Sequence, residues 1–226
     1  MAVRGGFERA RSPEAKQARE QAILQAATRL ASERGVREVT LTDIAAEVGL
    51  HKSAMLRYFE TREEIFLRLS AAGWVAWSAT VRADLEALGP VNPGQLDGRI
   101  DAVAASLATS LSDRPLFCDL LAHTPLNLER NVSLESVRSF KISTLAEADA
   151  VAATLCRVLP LDHHRARNVV ATATSMAGAL WQMAAPTTRL RQVYEADPDL
   201  AHAAVEVAPR LTDILAGLLR GYSPRA

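Results

Sequence analysis

Two short helical patterns lie between residues 40 and 59 of the chain, and a glycine separates them. The first opens on a capping box of Thr40 and Asp43 and ends at Gly49, which adopts the left-handed backbone of a helix terminus at little cost. The second carries apolar side chains at helical spacing, and we expect these to face inward: Met55, Leu56 and Phe59. Two short helices joined by so tight a turn predict a helix-turn-helix.

Further helical patterns surround this unit. Ser12-Pro13-Glu14 is typical of a helix start and Gly35 of its end. Thr61 and Glu64 form another capping-box pattern, which opens a long helix that has no breaker before Gly89-Pro90. Beyond it we predict helices near residues 97–112, 115–123, 130–159, 162–184 and 200–220. No segment alternates with the period of a strand, so we predict an all-α fold with a three-helix domain in residues 1–66 and a larger helical bundle in residues 67–226.

The second short helix of the helix-turn-helix has an outward face suited to double-stranded DNA. Ser53 and Ala54 are small enough to approach base edges in the major groove, and Arg57 and Tyr58 can reach phosphates or, for Arg57, a guanine edge. Lys52 falls toward the inner side at 100° per residue, but its long stem can swing out to the DNA backbone. His51 is the expected N-cap at the same end, and Thr40 and Thr42 belong to the helix that would cross the DNA backbone.

The net charge of the chain does not by itself indicate a polyanionic partner. The 226 residues hold 26 basic and 26 acidic side chains, and the first 70 residues hold 12 basic against 10 acidic ones. Affinity for DNA must therefore come from the placement of a few charges. We expect non-specific binding to be modest and sensitive to salt.

The remaining composition argues against several other kinds of site. Cys118 and Cys156 lie far apart and outside any CxxC pattern, so we expect buried thiols rather than a disulfide, a zinc site or a redox sensor. The pair His163-His164 does not suggest a shared metal, because adjacent side chains on a helix diverge by 100°. We expect no metal or other cofactor. Without a run of 18 uninterrupted apolar residues or a leader pattern, a cytoplasmic protein with no membrane partner is expected.

From residue 19 to residue 66 the sequence resembles the TetR family of bacterial repressors. The segments ILQAATRLASERG, TLTDIAAEVGL and HKSAMLRYFETREEIF follow the order and spacing of that family's N-terminal domain. The resemblance implies that Lys52 binds phosphate, that Tyr58 and Phe59 are the aromatic pair ending the recognition helix, and that Arg62 is a basic phosphate contact. The helix N-termini at Thr40 and Thr61 would also direct backbone N–H groups to phosphates.

Several residues depart from the family pattern. His51 stands where Ser is usual, Ala54 where Thr is frequent, Leu56 where Tyr is frequent, and Ala31 where a core Phe is common. Because the groove-facing set differs, an operator sequence cannot be carried over from a relative. The fold prediction is unaffected.

The resemblance also implies a C-terminal domain that dimerises through its last two long helices and often encloses a small-molecule pocket. Dimerisation places two recognition helices one turn of DNA apart on a near-palindromic site. Our candidate segments for the dimer interface, which could instead be core within one protomer, are the small-residue-rich residues 171–179, with the two residues that follow them, and residues 211–219. The side chains that we single out there are Leu180, Trp181, Leu211, Leu215 and Leu218. Our candidates for the pocket, most of which could also be core, are Trp74, Trp77, Phe117, Leu121, His123, Phe140 and Met176.

The resemblance implies a transcriptional repressor that a small effector releases from its operator. Because the C-terminal part holds no fixed charge cluster, we expect the effector to be apolar, weakly polar or aromatic. A DNA-binding regulator without an effector, on the same fold, is the alternative. A helical enzyme is a third class. Neither paired carboxylates, nor a nucleophile motif, nor a glycine-rich phosphate loop supports it.

Overall fold

The computed structural model describes residues 13–91, 94–184, 189–201 and 206–223, and within these ranges the chain is helical and has no strand. The all-α fold is therefore confirmed. The α-helices of the described residues are α1 (Pro13–Arg34), α2 (Leu41–Glu47), α3 (Lys52–Met55), α4 (Arg62–Ala87), α5 (Leu96–Ser112), α6 (Pro115–His123), α7 (Leu134–Val158), α8 (His163–Ala184), α9 (Arg189–Ala196) and α10 (Val207–Tyr222). A π-helical turn (Thr124–Leu128) follows α6.

Most predicted helix ends agree with the structure. Helix α1 begins at Pro13, and Gly35 follows it with φ of 84°. Two boundaries differ. Helix α7 begins at Leu134 rather than near residue 130, because the Ser133 hydroxyl caps the helix by accepting from the Ser136 N–H. The single helix predicted for residues 200–220 is α10 alone, which begins at Val207. Residues 202–205 of that prediction, like Ser12 and Pro186, lie outside the described residues.

Two apolar cores hold the helices together. The larger core lies among α4, α5, α7, α8 and α10, and its largest side chain is Trp77, whose indole N–H donates to Ser110 Oγ at 3.0 Å. The smaller core joins α1, α2, α3 and the first turns of α4. Leu120, Leu128 and Phe140 also pack into the smaller core. The helix-turn-helix unit thus packs against α6, the π-helical turn and α7.

Two kinds of feature are missing from the part of the chain that the structure describes. It contains no helix long and apolar enough to cross a bilayer. It also contains no group of three or more His, Cys, Asp or Glu side chains arranged to hold a metal ion.

Candidate nucleic-acid interface

Helix α2 is held at its N-terminus by the capping box that the sequence predicts. The Asp43 N–H donates to Thr40 Oγ1 at 3.1 Å, and Asp43 Oδ2 accepts from the Thr40 N–H at 2.8 Å. The hydrogen bond from the Thr40 hydroxyl to Asp43 Oδ2, followed by the one from the Thr40 N–H, lowers the pKa of the Asp43 carboxyl. Gly49 then turns the chain with φ of 64°. The Leu50 N–H donates to the Ala45 carbonyl at 2.8 Å, which fixes the start of the next helix.

Helix α3 is one turn long and tightens after Met55. Its N-cap is His51, as predicted, whose Nδ1 accepts from the Ser53 N–H. Beyond Met55 the Arg57 and Tyr58 N–H groups donate to carbonyls three residues back. This tighter winding advances each residue by about 120° instead of 100°.

The tightening explains one error in the sequence prediction. Met55 and Phe59 are buried as expected, but Leu56 is 56% exposed. A residue that follows Met55 at about 120° points away from the core, so Leu56 joins the outer surface. Lys52, which the wheel at 100° per residue placed toward the inner side, is exposed too.

Most of the predicted DNA-contacting side chains are exposed on the helix-turn-helix. His51, Lys52, Ser53 and Arg57 are exposed, Ala54 and Tyr58 are half-buried, and Thr40 and Thr42 are exposed at the start of α2. Within the described residues neither Lys52 nor Arg57 forms an ion pair. Both cations therefore remain available to phosphate oxygens.

Arg62 is arranged differently from the expectation. Its guanidinium donates to the carbonyls of Val36 and Val39, pairs with Glu63 at 3.2 Å, and lies 4.7 Å from the centre of the Phe66 ring. Its side chain is only 17% exposed. The structure thus corrects its role: Arg62 fixes the loop between α1 and α2 rather than standing out toward a phosphate. Backbone acceptors more than 20 residues away leave no mark in the local sequence pattern.

The opposite side of the same loop is held by Asp119, a residue that the sequence reasoning missed. Asp119 Oδ2 accepts from the Val36 N–H at 2.7 Å, and Oδ1 accepts from the Gln182 side chain at 2.7 Å. The His123 Nδ1 lies 3.1 Å from Oδ1. The only available signal was an Asp four residues before a His within an otherwise apolar helix, which is the spacing of a side-chain pair.

The surroundings of this buried pair shift the pKa values of both Asp119 and His123. Burial acts to raise the pKa of Asp119, but hydrogen bonds from His123, Val36 and Gln182 outweigh it and the pKa lies below its ordinary value. The hydrogen bond to Asp119 raises the pKa of His123, although burial opposes it. The pair therefore favours its ionised form, which draws the loop, α6 and α8 together.

The predicted pocket residues divide among three places. Trp74, Leu121 and Phe140 line a cavity of about 460 Å³ in the C-terminal domain, which we call the C-terminal cavity. Phe117 lines a cleft of about 650 Å³ between α1, α4 and α6, which we call the interdomain cleft. The other three candidates are corrected: Trp77 is fully buried, Met176 packs against the larger core, and His123 is bonded to Asp119. Apolar residues at helical spacing do not distinguish a cavity wall from a core.

The predicted dimer-interface residues also require correction. Leu211 and Leu215 are fully buried within the protomer and Leu180 is 6% exposed, because all three belong to the larger core. Leu218 packs partly against that core, and Trp181 faces the interdomain cleft. The exposed faces of the same two helices carry small residues, those of α8 within the predicted segment 171–179: Ala171, Ser175 and Ala179 on α8, and Gly217 and Gly221 on α10. Ala171 and Ser175 also line the C-terminal cavity.

Comparison with known families decides what this arrangement belongs to. Residues 71–226 match the family model described as the tetracyclin repressor-like C-terminal domain. Residues 23–69 match the model of bacterial regulatory proteins of the tetR family. The chain belongs to the TetR family. The members of this family are transcriptional regulators that bind DNA and are not enzymes, so the predicted class of the protein is confirmed.

Solved structures with the same fold are regulators as well. FadR of Thermus thermophilus, a TetR-family repressor determined with lauroyl-CoA, has a TM-score of 0.58 at 19% identity, covering 92% of this chain and 96% of that one. The ketosteroid regulator KstR2 of Mycobacterium tuberculosis has a TM-score of 0.50 at 16% identity, with coverages of 92% and 96%. A TetR/AcrR regulator of Thermobifida fusca has a TM-score of 0.50 at 19% identity, with coverages of 92% and 100%. Comparison with curated protein sequences finds no match.

Proposed function

We propose that this TetR-family regulator is a repressor that binds a near-palindromic operator as a dimer and is released by a small-molecule effector. The observation that supports DNA reading most directly is the shared exposed surface of His51, Lys52, Ser53 and Arg57. Lys52 and Arg57, which form no ion pair with any described residue, flank small side chains there. Phosphate contacts from the cations would set the register in which the small side chains meet base edges.

The dimer is proposed to form through the outer faces of α8 and α10. Small residues recur every four positions on each face, so helices of a second protomer could approach closely. Met183, at the end of α8, is 47% exposed and would gain burial in such an interface. The leucines that we first expected at the interface hold α10 against the protomer's own core and so keep these outer faces rigid.

The C-terminal cavity is our proposed effector site. Its walls include Trp74, Leu121 and Phe140, and its volume of about 460 Å³ falls within the range that accommodates small-molecule ligands. Lys141 at its rim pairs with Glu129 at 2.7 Å, and Arg167 pairs with Asp149 at 2.9 Å. Since these charges are already compensated, an apolar or aromatic effector fits the cavity best. The effector would favour, by differential affinity, a dimer whose recognition helices no longer match the operator.

Genome-wide footprinting followed by titration of the strongest bound site tests DNA recognition. Replacing Lys52 by Ala together with Tyr58 by Phe should weaken binding about tenfold, in line with the loss of phosphate contacts, and should lower the salt dependence. Arg130→Ala, an exposed charge on the C-terminal domain, is the matched control and should leave affinity unchanged. Tight binding by the double variant would show that another surface reads the DNA.

Sedimentation velocity tests the dimer. Ala179→Arg places a charge on the outer face of α8, away from the C-terminal cavity, and should shift the protein toward monomer, whereas Ala105→Arg on the exposed face of α5 should not. Equal behaviour of the two variants would contradict the proposed interface.

A thermal-shift screen of metabolites tests the effector. Compounds that raise the melting temperature should also release DNA, and Leu145→Trp, at the wall of the C-terminal cavity, should abolish both effects. If no compound does so, the result favours the alternative, a DNA-binding regulator without an effector.

A further inference from the structure

The interdomain cleft is a separate opening from the C-terminal cavity. Its walls come from α1, α4, α6 and the end of α8. The cleft is wide because α1 and α4 face each other with small residues. These residues are Thr28, Ala31 and Ser32 on α1, opposite Ala72, Gly73 and Ala76 on α4. Gly73 also lets the Phe117 ring lie against α4, since a Cβ there would stand 2.4 Å from Phe117 Cδ2. Its volume of about 650 Å³ is ample for a small organic molecule.

Apolar groups supply most of the wall of this cleft. Leu69, Leu116, Phe117 and Trp181 line it, and of its lining side chains only two are charged, Arg114 and Asp119. A molecule in this cleft would therefore bury an aliphatic or aromatic body against them. The two charged groups decide what else it must carry.

Asp119 has no need of a ligand. Its two oxygens already accept hydrogen bonds from Val36 and Gln182 and lie beside His123. A cationic ligand would have to displace one of these donors. The negative charge on this wall is thus compensated by the protein itself.

Arg114 is in the opposite situation. Its guanidinium donates to the Ser110 carbonyl at 2.6 Å and to Thr80 Oγ1 at 2.9 Å, both of them neutral acceptors. Asp84 and Asp113 lie with it along a different, shallow cleft, but within the described residues no carboxylate comes within ion-pair distance. The uncompensated charge of the interdomain cleft is therefore positive. A guanidinium has five N–H donors, and the two bonds to neutral groups leave others for a carboxylate.

We propose that the interdomain cleft binds a small carboxylate with an aromatic or aliphatic body, whose anionic group pairs with Arg114 and whose body lies against Phe117 and Trp181. Such a ligand contacts α1 of the DNA-binding domain as well as α4, α6 and α8. It binds one relative placement of the two domains preferentially and shifts the protein toward that placement.

Three probes with one body and different head groups test the proposal on the full-length protein without DNA. These probes are 8-phenyloctanoate, 8-phenyloctan-1-ol and 8-phenyloctylamine, and calorimetry measures their affinities. The carboxylate should bind saturably and at least tenfold more tightly than the amine, with the alcohol between them. Equal or tighter binding of the amine, or no saturable binding of the carboxylate, overturns the proposal.

Four variants locate the site. Arg114→Gln should weaken carboxylate binding about tenfold and leave alcohol binding unchanged, while Arg114→Lys, which keeps the charge, should recover part of the loss. Ala76→Trp fills the cleft from an exposed position on α4 and should abolish binding of all three probes. Lys141→Gln, at the rim of the C-terminal cavity, should change nothing. If Lys141→Gln weakens binding and Arg114→Gln does not, the carboxylate occupies the C-terminal cavity and the proposal is wrong.

The fluorescence of Trp181 supplies an independent readout. The chain has three tryptophans, of which Trp181 lines this cleft and Trp74 lines the C-terminal cavity. Carboxylate binding should change the emission of the parent protein, and Trp181→Phe should remove most of the change while calorimetry still detects binding. These experiments contain no DNA, so failure of the carboxylate to bind would not contradict the proposed repressor function. Equally, failure of the protein to bind an operator would not contradict a carboxylate site in the interdomain cleft.

Discussion

Replacing Asp119 by Ala removes the polar link between the C-terminal domain and the loop that leads into the helix-turn-helix. The Val36 N–H and the Gln182 amide lose their acceptor, and His123 loses its carboxylate partner. A buried N–H left without an acceptor costs about 1–3 kcal/mol. Breaking a buried ion pair by removing one partner costs about 3–5 kcal/mol, but His123 can lose its proton and so avoid part of that penalty. We expect a total loss of about 2–4 kcal/mol.

Urea denaturation followed by circular dichroism measures this loss. With a slope of about 2 kcal/mol per molar urea, the unfolding midpoint should fall by about 1–2 M. Asp119→Asn keeps one carbonyl oxygen as an acceptor and should recover part of the stability. At a temperature where both proteins are folded, Asp119→Ala should also bind its operator more weakly, because the loop between α1 and α2 is no longer held from the side of α6.

An exposed aspartate provides the matched control. Asp84→Ala on α4 removes the same charge from the surface and should change stability by less than about 0.5 kcal/mol. If Asp119→Ala also falls within that range, Asp119 does not hold the loop and our account of this contact fails.

Three further predictions concern single side chains. His123→Gln should destabilise the protein more at pH 6 than at pH 9 in urea titrations. The pKa of His123 is raised above 6.5, so its contribution to stability is complete below pH 6.5 and is lost as the pH rises through the raised pKa. An equal effect at both pH values would contradict the pairing of His123 with Asp119. Burial raises the pKa of Cys118 to about 12, so its thiol is unreactive at pH 8. A thiol reagent should therefore label the half-buried Cys156 first and Cys118 only after unfolding. Simultaneous labelling of both cysteines would contradict this difference in reactivity. Gly73→Ala should destabilise the protein by about 1–3 kcal/mol because the new Cβ meets the Phe117 ring. Gly98→Ala has open space around the new Cβ and should stabilise the protein by up to about 1 kcal/mol. Similar melting temperatures of the two variants would contradict the close approach of Phe117 to Gly73.

The sequence predicts local structure well because capping boxes, prolines and glycines act through neighbouring residues. Thr40 with Asp43, Pro13 and Gly35 mark helix ends that the structure confirms. The exposure of His51, Ser53 and Arg57 follows from the same local reasoning. Leu56 was misplaced because the helical winding changes after Met55, and the α-helical period does not include that change.

Contacts between distant parts of the chain were beyond local patterns. Leu211 and Leu215 are apolar at helical spacing whether they face their own core or a partner, so spacing could not tell one surface from the other. Trp77 was taken for a pocket residue for the same reason. Arg62 resembles a phosphate-binding residue in sequence, but its acceptors are carbonyls of the preceding loop. Such partners become visible only once the fold brings them together.

These long-range contacts meet at the backbone of Val36. Its carbonyl accepts from Arg62, at the start of α4, and its N–H donates to Asp119, in α6. Helix α4 runs from the helix-turn-helix into the larger core, and α6 lines both the C-terminal cavity and the interdomain cleft. A ligand in either opening that moves α6 relative to α4 would displace the two backbone polar groups of this one residue relative to each other. Because Val36 lies five residues before α2, such a displacement would pass into the helix-turn-helix through a short segment of chain.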